Sequence, residues 1–560
     1  MCAENEGDAP QVNDTSQTTA RRRRILQGLL GAAAMMAVLT VLSRVLGMVR
    51  QMAQASAVGS EAIGTAYTSA FTVSGTLYEI AAGGALAGAL IPLLAGPISR
   101  RATEETRAII AGALGWVLLL LVPVGLLLAA AAGPVATALN AGGLVSTTRF
   151  FLLVFSVQIP LYGLTVLANA VLQAHHRFFL PMFTPVLSSL VVIGAYLWYA
   201  PLAGGERSDP SALSTGALDV LAWGTTAGAA AMCAPGLVAL ARMGFLPAPR
   251  WRFPAGVGSR FRSLMLSGLA GVAAYQVAAI VVLVTANRAE TGVSETDIYP
   301  VWIWSQQIYI LPVGVLVIPL VTSAFPRLSA AVADEARERF ATMSALTSRA
   351  VVMAAGTGAA VLAAAAPAVA LVFAMLDSSS PDVASFMTVA LTLSVIALPG
   401  HALMYQAQRT LYAMQRARAA LVVSVAGWGL VSVLLVVGLV MPRPSGSFIA
   451  VLAGAWALGL SVGGVVAGVV VARVAGRPAV AGLARTAAVM VPAAVVGAMG
   501  GRWVTDSVVT LLGRDIWPAV GAGVGAALVG VVLVVAVLYL GDRPGVRGLV
   551  QLVRDRRHAA

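Results

Sequence analysis

Two arginines interrupt the first long apolar segment of this chain, at Arg44 and Arg50. On an α-helix, residues six positions apart are separated by about 120° around the axis and by about 9 Å along it. A cation near the centre of a bilayer costs about 2.5–3.5 kcal/mol, so two of them in one span require compensation. A water-filled cavity, a carboxylate or an anionic substrate would provide it. The alternative is that one or both side chains extend to the membrane interface.

The composition indicates which elements position these arginines. The 560 residues are 59% hydrophobic and 11% charged, whereas soluble domains carry about 25% charged residues. Apolar runs of about 18 residues or more recur, and each could cross a bilayer. The sequence therefore predicts an all-α polytopic membrane protein with about 14 transmembrane helices. The predicted spans begin near Ile25, Ala62, Ala108, Phe150, Met182, Ala217, Leu264, Tyr299, Thr347, Ala384, Ala419, Phe448, Val480 and Ile516.

Arginines concentrate in every second loop between these spans. Arg100 and Arg101 lie in one such loop, whereas the loops at Asn140–Ser146 and Asp377–Asp382 contain no arginine. The positive-inside rule then predicts a multi-pass protein of the cytoplasmic membrane with both termini cytoplasmic. The net charge of +13 follows from this topology, so nucleic acid is not an expected partner. Arg443 and Arg502 lie in predicted outer loops and do not reverse the pattern.

The N-terminal region and the cysteines exclude two other interpretations. Arg21–Arg24 followed by an apolar run resembles a signal peptide, but the run is too long and carries Arg44, so a retained first helix is expected. Cys2 lies in a polar tail and Cys233 in an apolar span, so no disulfide framework is predicted.

A weak internal repeat suggests two related halves. Pro92 and Pro326 each stand near the end of a predicted span, and Arg177 and Arg418 follow spans at nearly the same separation. Parallel repeats are a transporter arrangement with the substrate site between the halves. The predicted organisation is two parallel lobes of about six helices each plus two C-terminal helices. Its boundaries are a disordered cytoplasmic tail (1–24), an N-terminal lobe (25–243), a C-terminal lobe (244–476), two extra transmembrane helices (477–541) and a basic cytoplasmic tail (542–560).

Several motifs resemble the MurJ (MviN) lipid II flippases of the multidrug/oligosaccharidyl-lipid/polysaccharide (MOP) exporter superfamily. They occur in the family's order, and the ordered set carries the resemblance. The segments are Ser43–Arg50, Ala82–Pro92, Arg177–Leu187, Leu221–Gly228, Tyr309–Gly314, Phe325–Ser329 and Arg409–Gln415.

The resemblance implies a V-shaped transporter that exports lipid II, or a related polyprenyl-diphosphate saccharide, by alternating access. Arginine suits such a cargo because the guanidinium is permanently charged and binds phosphate oxygens through two parallel N–H donors. The last two spans would correspond to the family's groove for the lipid tail. Membrane lipids and, in a scaffold, cell-wall synthesis proteins are the other partners implied.

The chain departs from the family at expected cationic positions. Arg44 and Arg50 carry over, and Arg288 is a candidate counterpart of the arginine that ends the seventh helix. Gln51 replaces an acidic residue, and Glu79, next to Tyr78, occupies the region where the second helix usually bears an arginine. The predicted substrate-binding residues are Arg44, Arg50, Gln51, Glu79, Arg288 and Gln307.

Gln307, with its neighbour Gln306, stands where the family has Asp-Arg. Either amide could bind sugar or phosphate, or could serve only in hydrogen bonds between helices. Glu79 near Arg44 or Arg50 would form an intramembrane ion pair and reduce the positive field.

Three classes of function remain open on the sequence. The first is a lipid II flippase, the second a non-transporting scaffold of cell-envelope synthesis, and the third an exporter coupled to an ion gradient through Glu79. No enzyme activity is predicted, because no pairing of a nucleophile with a base is visible. Neither a cofactor nor a metal is expected, and a chain without lysine has no phosphate-binding loop for ATP.

Overall fold

A computed structural model describes residues 35, 38–81, 83–139, 144–289, 297–378, 380–442, 444, 446–513 and 515–545. In this part of the chain the regular structure is helical throughout, and the predicted all-α membrane fold is confirmed. The expected tail at 1–24 and residues 546–560 of the expected tail at 542–560 lie outside the described residues. The helices are α1 (38–57), α2 (Ala62–Ala81), α3 (Gly83–Ser99), α4 (Thr103–Ala130), α5 (Ala132–Leu139), α6 (Leu144–Ser156), α7 (Gln158–Ala174), α8 (Phe179–Ala203), α9 (Thr215–Arg242), α10 (Val257–Ala289), α11 (Ile298–Tyr309), α12 (Ile318–Ala333), α13 (Arg337–Leu376), α14 (Val383–Ser394), α15 (Leu398–Ala413), α16 (Ala417–Val440), α17 (Phe448–Ala475), α18 (Leu483–Leu512) and α19 (Ile516–Gly541).

Twelve segments of the described chain are long and apolar enough to cross a membrane. They correspond to the predicted spans from Ala108 onward. The two remaining predicted spans contain α1 and the pair α2 and α3, of which only 88–99 counts as a shorter apolar helix. The total of about 14 spans therefore stays a prediction.

Three spans are interrupted near a proline. Helix α6 gives way to α7 at Val157, ahead of Pro160, and α14 gives way to α15 through a short 3₁₀ turn ahead of Pro399. Between α11 and α12, Pro312 precedes a π-helical turn, Val313–Val317. Proline has no N–H to donate to the carbonyl four residues earlier, so the helical hydrogen-bond series is broken at each point. Such breaks are tolerated in membrane spans where neighbouring helices cover the freed backbone groups.

Two large groups of buried apolar side chains form the core. One extends along the chain from Ala57 to Phe261, and the other consists mostly of residues from Ala278 to Ala479. Helix α10 contributes to both groups and packs against α2 and α3 as well as α16. The predicted division into two lobes at 243 and 244 is not tested by this packing and stays a prediction.

The last two helices pack on each other and on α13 through small residues. A Cβ on Gly497 would lie 2.9 Å from the Gly530 carbonyl oxygen, and one on Gly501 would lie 2.6 Å from the Ala526 carbonyl oxygen. The four-residue spacing of Gly497 and Gly501 is the small-residue pattern that lets membrane helices approach closely. Thr505, four residues further on, donates a hydrogen bond to the Ala364 carbonyl of α13 at 3.1 Å. These helices thus form a tightly packed unit with α13.

Candidate functional site

A cavity of about 920 Å³ lies among residues from both halves of the sequence. Its walls come from α1, α2, α7, α8 and α9 on one side and from α11, α15, α16 and α17 on the other, with α10 between them. A volume of this order is typical of ligand sites, which are usually about 300–1,000 Å³. Four of the predicted site residues line it: Arg50, Gln51, Glu79 and Gln307.

Helix α1 contributes Arg50, Gln51 and Gln54 to the cavity. Positions three and four apart share a helix face, which explains why this group points the same way. Gln54 donates a hydrogen bond to Thr68 of α2 at 3.0 Å, so its amide is fixed. Gln51 is 5% exposed, and its side-chain oxygen has no hydrogen-bond partner in the described structure. Arg50 is half-buried and lines the cavity beside this acceptor.

A network of hydroxyl groups forms the wall next to Arg50. The Tyr67 hydroxyl lies 2.8 Å from the Tyr196 hydroxyl and 2.9 Å from the Thr225 hydroxyl, which joins α2 to α8 and α9. Tyr162 of α7 donates to Gln158 at 3.0 Å, and its ring lies 5.3 Å from the ring of Tyr78. Hydroxyl donors around a cation form a surface that suits phosphate oxygens.

Sequence reasoning missed most of these tyrosines. The signal that could have found them is the spacing of Tyr67 and Tyr78, because residues 11 apart return to nearly the same face of an α-helix. Tyr162 and Tyr196 carry no such signal, since their place beside α2 depends on tertiary packing.

The cavity is nearly balanced in charge. Among the described residues that line it, the charged ones are Arg50 and Glu79, and Gln276, Gln306, Gln307 and Gln408 supply neutral amides. The positive field is therefore weaker than two or more unpaired arginines would give. The close ion pair of Glu79 with Arg44 or Arg50 stays a prediction.

Arg44 and Arg288 are not among the residues that line the cavity. Arg44 is exposed, and its Nη2 lies 3.2 Å from the place a Cβ would take on Gly314 in the π-helical turn. The rotation of about 120° between positions 44 and 50 explains why only Arg50 faces the cavity. Arg288 in the last turn of α10 donates to the Ala138 carbonyl at 3.0 Å through Nη2, which fixes it against α5.

A second polar site, the Asp377 cluster, consists of Ser60, Glu61, Arg207, Ser208 and Asp377. The Asp377 carboxylate is fully buried and accepts hydrogen bonds from the Ser60 N–H at 2.8 Å and the Ser60 hydroxyl at 2.6 Å. Arg207 forms an ion pair with Asp377 and donates to the Ser56 carbonyl, and Ser208 donates to Glu61. The cluster ties the α1–α2 turn to the α8–α9 loop and to the end of α13.

Asp297, at the start of α11, extends this cluster. Its N–H donates to the Ser60 carbonyl at 3.0 Å, and its carboxylate accepts from Thr65 at 2.7 Å. Burial raises the pKa of Asp297 above its usual value, and the negative charge of Glu61 adds to this effect. The hydrogen bond from Thr65 acts in the opposite direction but does not cancel it.

A third polar site, the Asp542 cluster, consists of Arg349, Thr486, Asp542 and Gly545. The fully buried Asp542 carboxylate accepts from Thr486 at 2.6 Å, from Arg349 at 3.1 Å and from the Gly545 N–H at 3.1 Å. Burial alone would raise the pKa of Asp542, but the hydrogen bonds from Thr486, Arg349 and Gly545 together hold it below its usual value. The cluster connects α13, α18 and the end of α19.

The helices, their interruptions and the central cavity define a polytopic membrane protein of the transporter class. Solved structures share this fold: one described as a lipid II flippase MurJ in an inward closed conformation has a TM-score of 0.68 at 14% identity, covering 90% of this chain and 98% of that chain. Another, an inward-facing multidrug resistance MATE family transporter of the MOP superfamily, has a TM-score of 0.61 at 14% identity, covering 78% of this chain and 96% of that chain.

Sequence comparison then gives the family. A family model described as "Lipid II flippase MurJ" matches residues 54–510, so this chain belongs to the MurJ lipid II flippase family. A lipid II flippase MurJ from Burkholderia cenocepacia is 33% identical over 171 residues, which are 29% of this chain and 32% of that protein. A probable lipid II flippase MurJ from Vibrio cholerae is 26% identical over 337 residues, 58% of this chain and 60% of that protein. The chain thus aligns with less than two thirds of the length of these relatives. The predicted family resemblance is confirmed.

Proposed function

We propose that this protein carries lipid II, or a closely related polyprenyl-diphosphate saccharide, across the cytoplasmic membrane through the central cavity. The observation that carries the proposal is Arg50 in a cavity lined by both halves of the sequence, within a chain of the MurJ family. Arg50 would bind the diphosphate, and the amides of Gln51 and Gln307 would bind the polar groups around it. Alternating access requires two lobes that move against each other, and the two core groups are the candidates for them.

The loop charges support an orientation with both termini in the cytoplasm. In this orientation the Asp377 cluster lies on the outer side, because it joins loops that are poor in arginine. The buried ion pair of Arg207 with Asp377 and the hydrogen bonds around it hold the outer ends of α1, α2, α11 and α13 together. The arrangement corresponds to a state in which the cavity is closed on the outer side. In this state a substrate would enter the cavity from the cytoplasm.

The membrane potential would assist export. Moving one negative charge outward across 100 mV releases about 2.3 kcal/mol. After release of the substrate, Arg50 would be drawn toward the negative interior, which favours a return to the inward-facing state. Equal rates of flipping in energised and de-energised vesicles would contradict this step.

The first test is growth of a host whose own lipid II flippase is depleted. We expect the wild-type chain to sustain growth and Arg50→Gln to fail at equal membrane abundance, because glutamine keeps a polar side chain but loses the charge. Arg107→Gln is the matched control, since Arg107 pairs with Glu104 at the surface at 3.1 Å and is not among the residues that line the cavity. Arg44→Gln tests whether the second arginine, which lies against Gly314, acts in another conformation.

Two results would redirect the proposal. Rescue by Arg50→Gln at the wild-type level would exclude Arg50 as the diphosphate site. A wild-type chain that inserts correctly yet never rescues growth favours the scaffold of cell-envelope synthesis.

An ion-coupled exporter is the second candidate, because Glu79 lines the cavity. It predicts resistance to toxic organic cations that depends on pH and is lost in Glu79→Gln. Resistance unchanged by that substitution would exclude it.

A further inference from the structure

The side of the cavity formed by α10, α11 and α15–α17 differs in chemistry from the Arg50 side. Eight aromatic side chains line it, and six of them have rings in contact with one another. We call these six the aromatic wall: Tyr275, Trp302, Tyr309, His401, Trp428 and Trp456. Each ring contacts at least one other ring of the wall. The centroids of Tyr275 and Trp428 are 4.9 Å apart, and those of Trp428 and Trp456 are 5.1 Å apart. Trp302 adjoins Trp456 at 5.6 Å. This surface is continuous across five helices.

The aromatic wall is preorganised, because packing among its own rings fixes their positions. Most of these ring contacts are edge-to-face, the geometry that the quadrupoles of aromatic rings favour. Trp428 and Trp456 are each 6% exposed, so their positions are fixed by packing. Tyr275 lines the cavity and, at 44% exposed, is the most exposed ring of the aromatic wall.

Neutral amides accompany the rings. Gln306, Gln307 and Gln408 line the cavity on α11 and α15, and Gln408 is held by a hydrogen bond to Ser424 at 2.9 Å. The buried amide nitrogen of Gln306 has no hydrogen-bond partner in the described structure. A buried unpaired donor costs about 1–3 kcal/mol, so a ligand acceptor at this point would be favoured.

These features identify the class of group that fits. The described charged residues of the cavity, Arg50 and Glu79, lie on α1 and α2, so the aromatic wall itself is uncharged. A sugar ring presents polarised C–H groups on its face and hydroxyl or amide groups on its edge. The C–H groups complement the negative face of an aromatic ring, and the edge complements glutamine side chains. An alkyl chain would leave the amides unpaired.

We propose that the aromatic wall is a saccharide subsite, in which a sugar stacks on Tyr275 and hydrogen-bonds to Gln306. The inference rests on the proposed function, because it places the sugar of the same cargo whose diphosphate binds Arg50. Affinity for the cargo is then divided: the Arg50 side binds the diphosphate, and the aromatic wall distinguishes a glycosylated lipid from a bare one.

The test compares two probes on the purified full chain in lipid nanodiscs, with binding measured by native mass spectrometry. One probe is a polyprenyl diphosphate, and the other is the same lipid diphosphate carrying a disaccharide. We expect the wild type to prefer the glycosylated probe. Tyr275→Leu should weaken binding of that probe by about tenfold and leave the bare diphosphate unchanged, whereas Tyr275→Phe keeps the ring and should bind as the wild type does. Arg50→Gln should weaken both.

Tyr539→Leu is the matched control, because Tyr539 is 56% exposed on α19 and does not line the cavity. It should leave the ratio of the two affinities unchanged. Equal wild-type binding of the two probes, or a Tyr275→Leu effect that is equal on both, would overturn the saccharide subsite alone. A wild type that binds neither probe would overturn the subsite and the proposed function together.

Discussion

The Asp377 cluster and the Asp542 cluster both contain a buried aspartate–arginine ion pair, but the first joins segments from the two halves of the sequence and the second joins helices of one packed unit. Each centres on a fully buried carboxylate paired with an arginine that is only about one seventh exposed, 14% for Arg207 and 15% for Arg349. Asp377 connects segments from the two halves of the sequence, including the α8–α9 loop and the end of α13. Asp542 connects helices that already pack closely, α13, α18 and α19. A buried pair between separately packed groups can act as a latch, which means that it must break before the groups move apart. A buried pair inside one packed unit only stabilises that unit.

This difference decides what happens when each pair is broken. Removing one partner of a buried pair leaves a buried charge without compensation, at a cost of about 3–5 kcal/mol. In the proposed transport cycle the two parts joined by the Asp377 cluster separate, and water would then reach Arg207. The helices around Arg349 cannot separate without loss of their packing. We therefore expect the first break to shift a conformational equilibrium and the second to lower stability.

Asp377→Asn is expected to have the largest effect. It should shift the protein toward an outward-open state by about 3 kcal/mol, roughly 100-fold, because it removes the carboxylate charge opposite Arg207, and opening would hydrate the guanidinium. The measurement is labelling from the outside of a cysteine placed at Thr72 in the cavity lining, in a background with Cys2→Ser and Cys233→Ser. Asp209→Asn on the exposed α8–α9 loop is the control. Unchanged labelling of the Asp377 variant would show that the cluster is not a latch.

Asp542→Asn should have the second largest effect. It should lower the stability of the fold and leave the conformational equilibrium unchanged. It leaves Arg349 buried beside a neutral group, and we expect a loss of about 2–3 kcal/mol in stability. Thermal unfolding in detergent, followed by tryptophan fluorescence, should shift to lower temperature, while labelling at position 72 stays at the wild-type level. A large change in labelling without a change in unfolding would reverse the assigned roles of the two clusters.

Neither cluster was visible in the sequence, although the fold class was. Apolar length and charge alternation depend on local composition, and these predicted the membrane helices and the arginine-rich loops. Asp377 appeared there only as part of a loop without arginine, and Asp542 only as the first residue of a basic tail. Their partners are 170 and 193 residues away along the chain, and no spacing rule connects them.

The candidate site was predicted in part for the same reason. Arg50, Gln51, Glu79 and Gln307 lie in the cavity, and motif resemblance or the charge of a residue within a span was enough to select them. Arg44 passed the same criteria yet faces Gly314, because the rotation of α1 about its axis is set by packing. The aromatic wall was missed because tryptophan and tyrosine in membrane spans usually belong to the core or to the interface, and only assembly of five helices places these rings together.

Arg207→Lys should produce a smaller shift than Asp377→Asn. Lysine keeps the charge near Asp377, but Arg207 also donates to the Ser56 carbonyl through its second terminal nitrogen. A point charge on a flexible stem cannot hold that planar geometry, so we expect about 1 kcal/mol, or roughly fivefold more labelling at position 72. Arg107→Lys in the exposed pair with Glu104 is the matched control and should change nothing. Labelling as high as in Asp377→Asn would mean that the charge alone does not support the latch.

The smallest expected effect is that of pH, which should distinguish the two clusters because labelling at position 72 and thermal stability respond to it differently. The pKa of Asp297 is raised in the folded protein, so this carboxyl group binds its proton more tightly in the closed cluster than in an open, hydrated one. Acidification from pH 7 toward 5 should therefore favour closure and lower the labelling at position 72 by less than about tenfold, and Asp297→Asn should abolish the response.

The pKa of Asp542 is lower in the folded protein than in the unfolded chain. The stability that its ionised carboxylate contributes is therefore complete above the unfolded-state pKa and is lost only as the pH falls through the folded-state pKa. Thermal stability should thus be insensitive to this cluster between pH 7 and 5 and should decline in stronger acid, less steeply in Asp542→Asn. An increase in labelling on acidification would contradict the assignment of Asp297 to the latch.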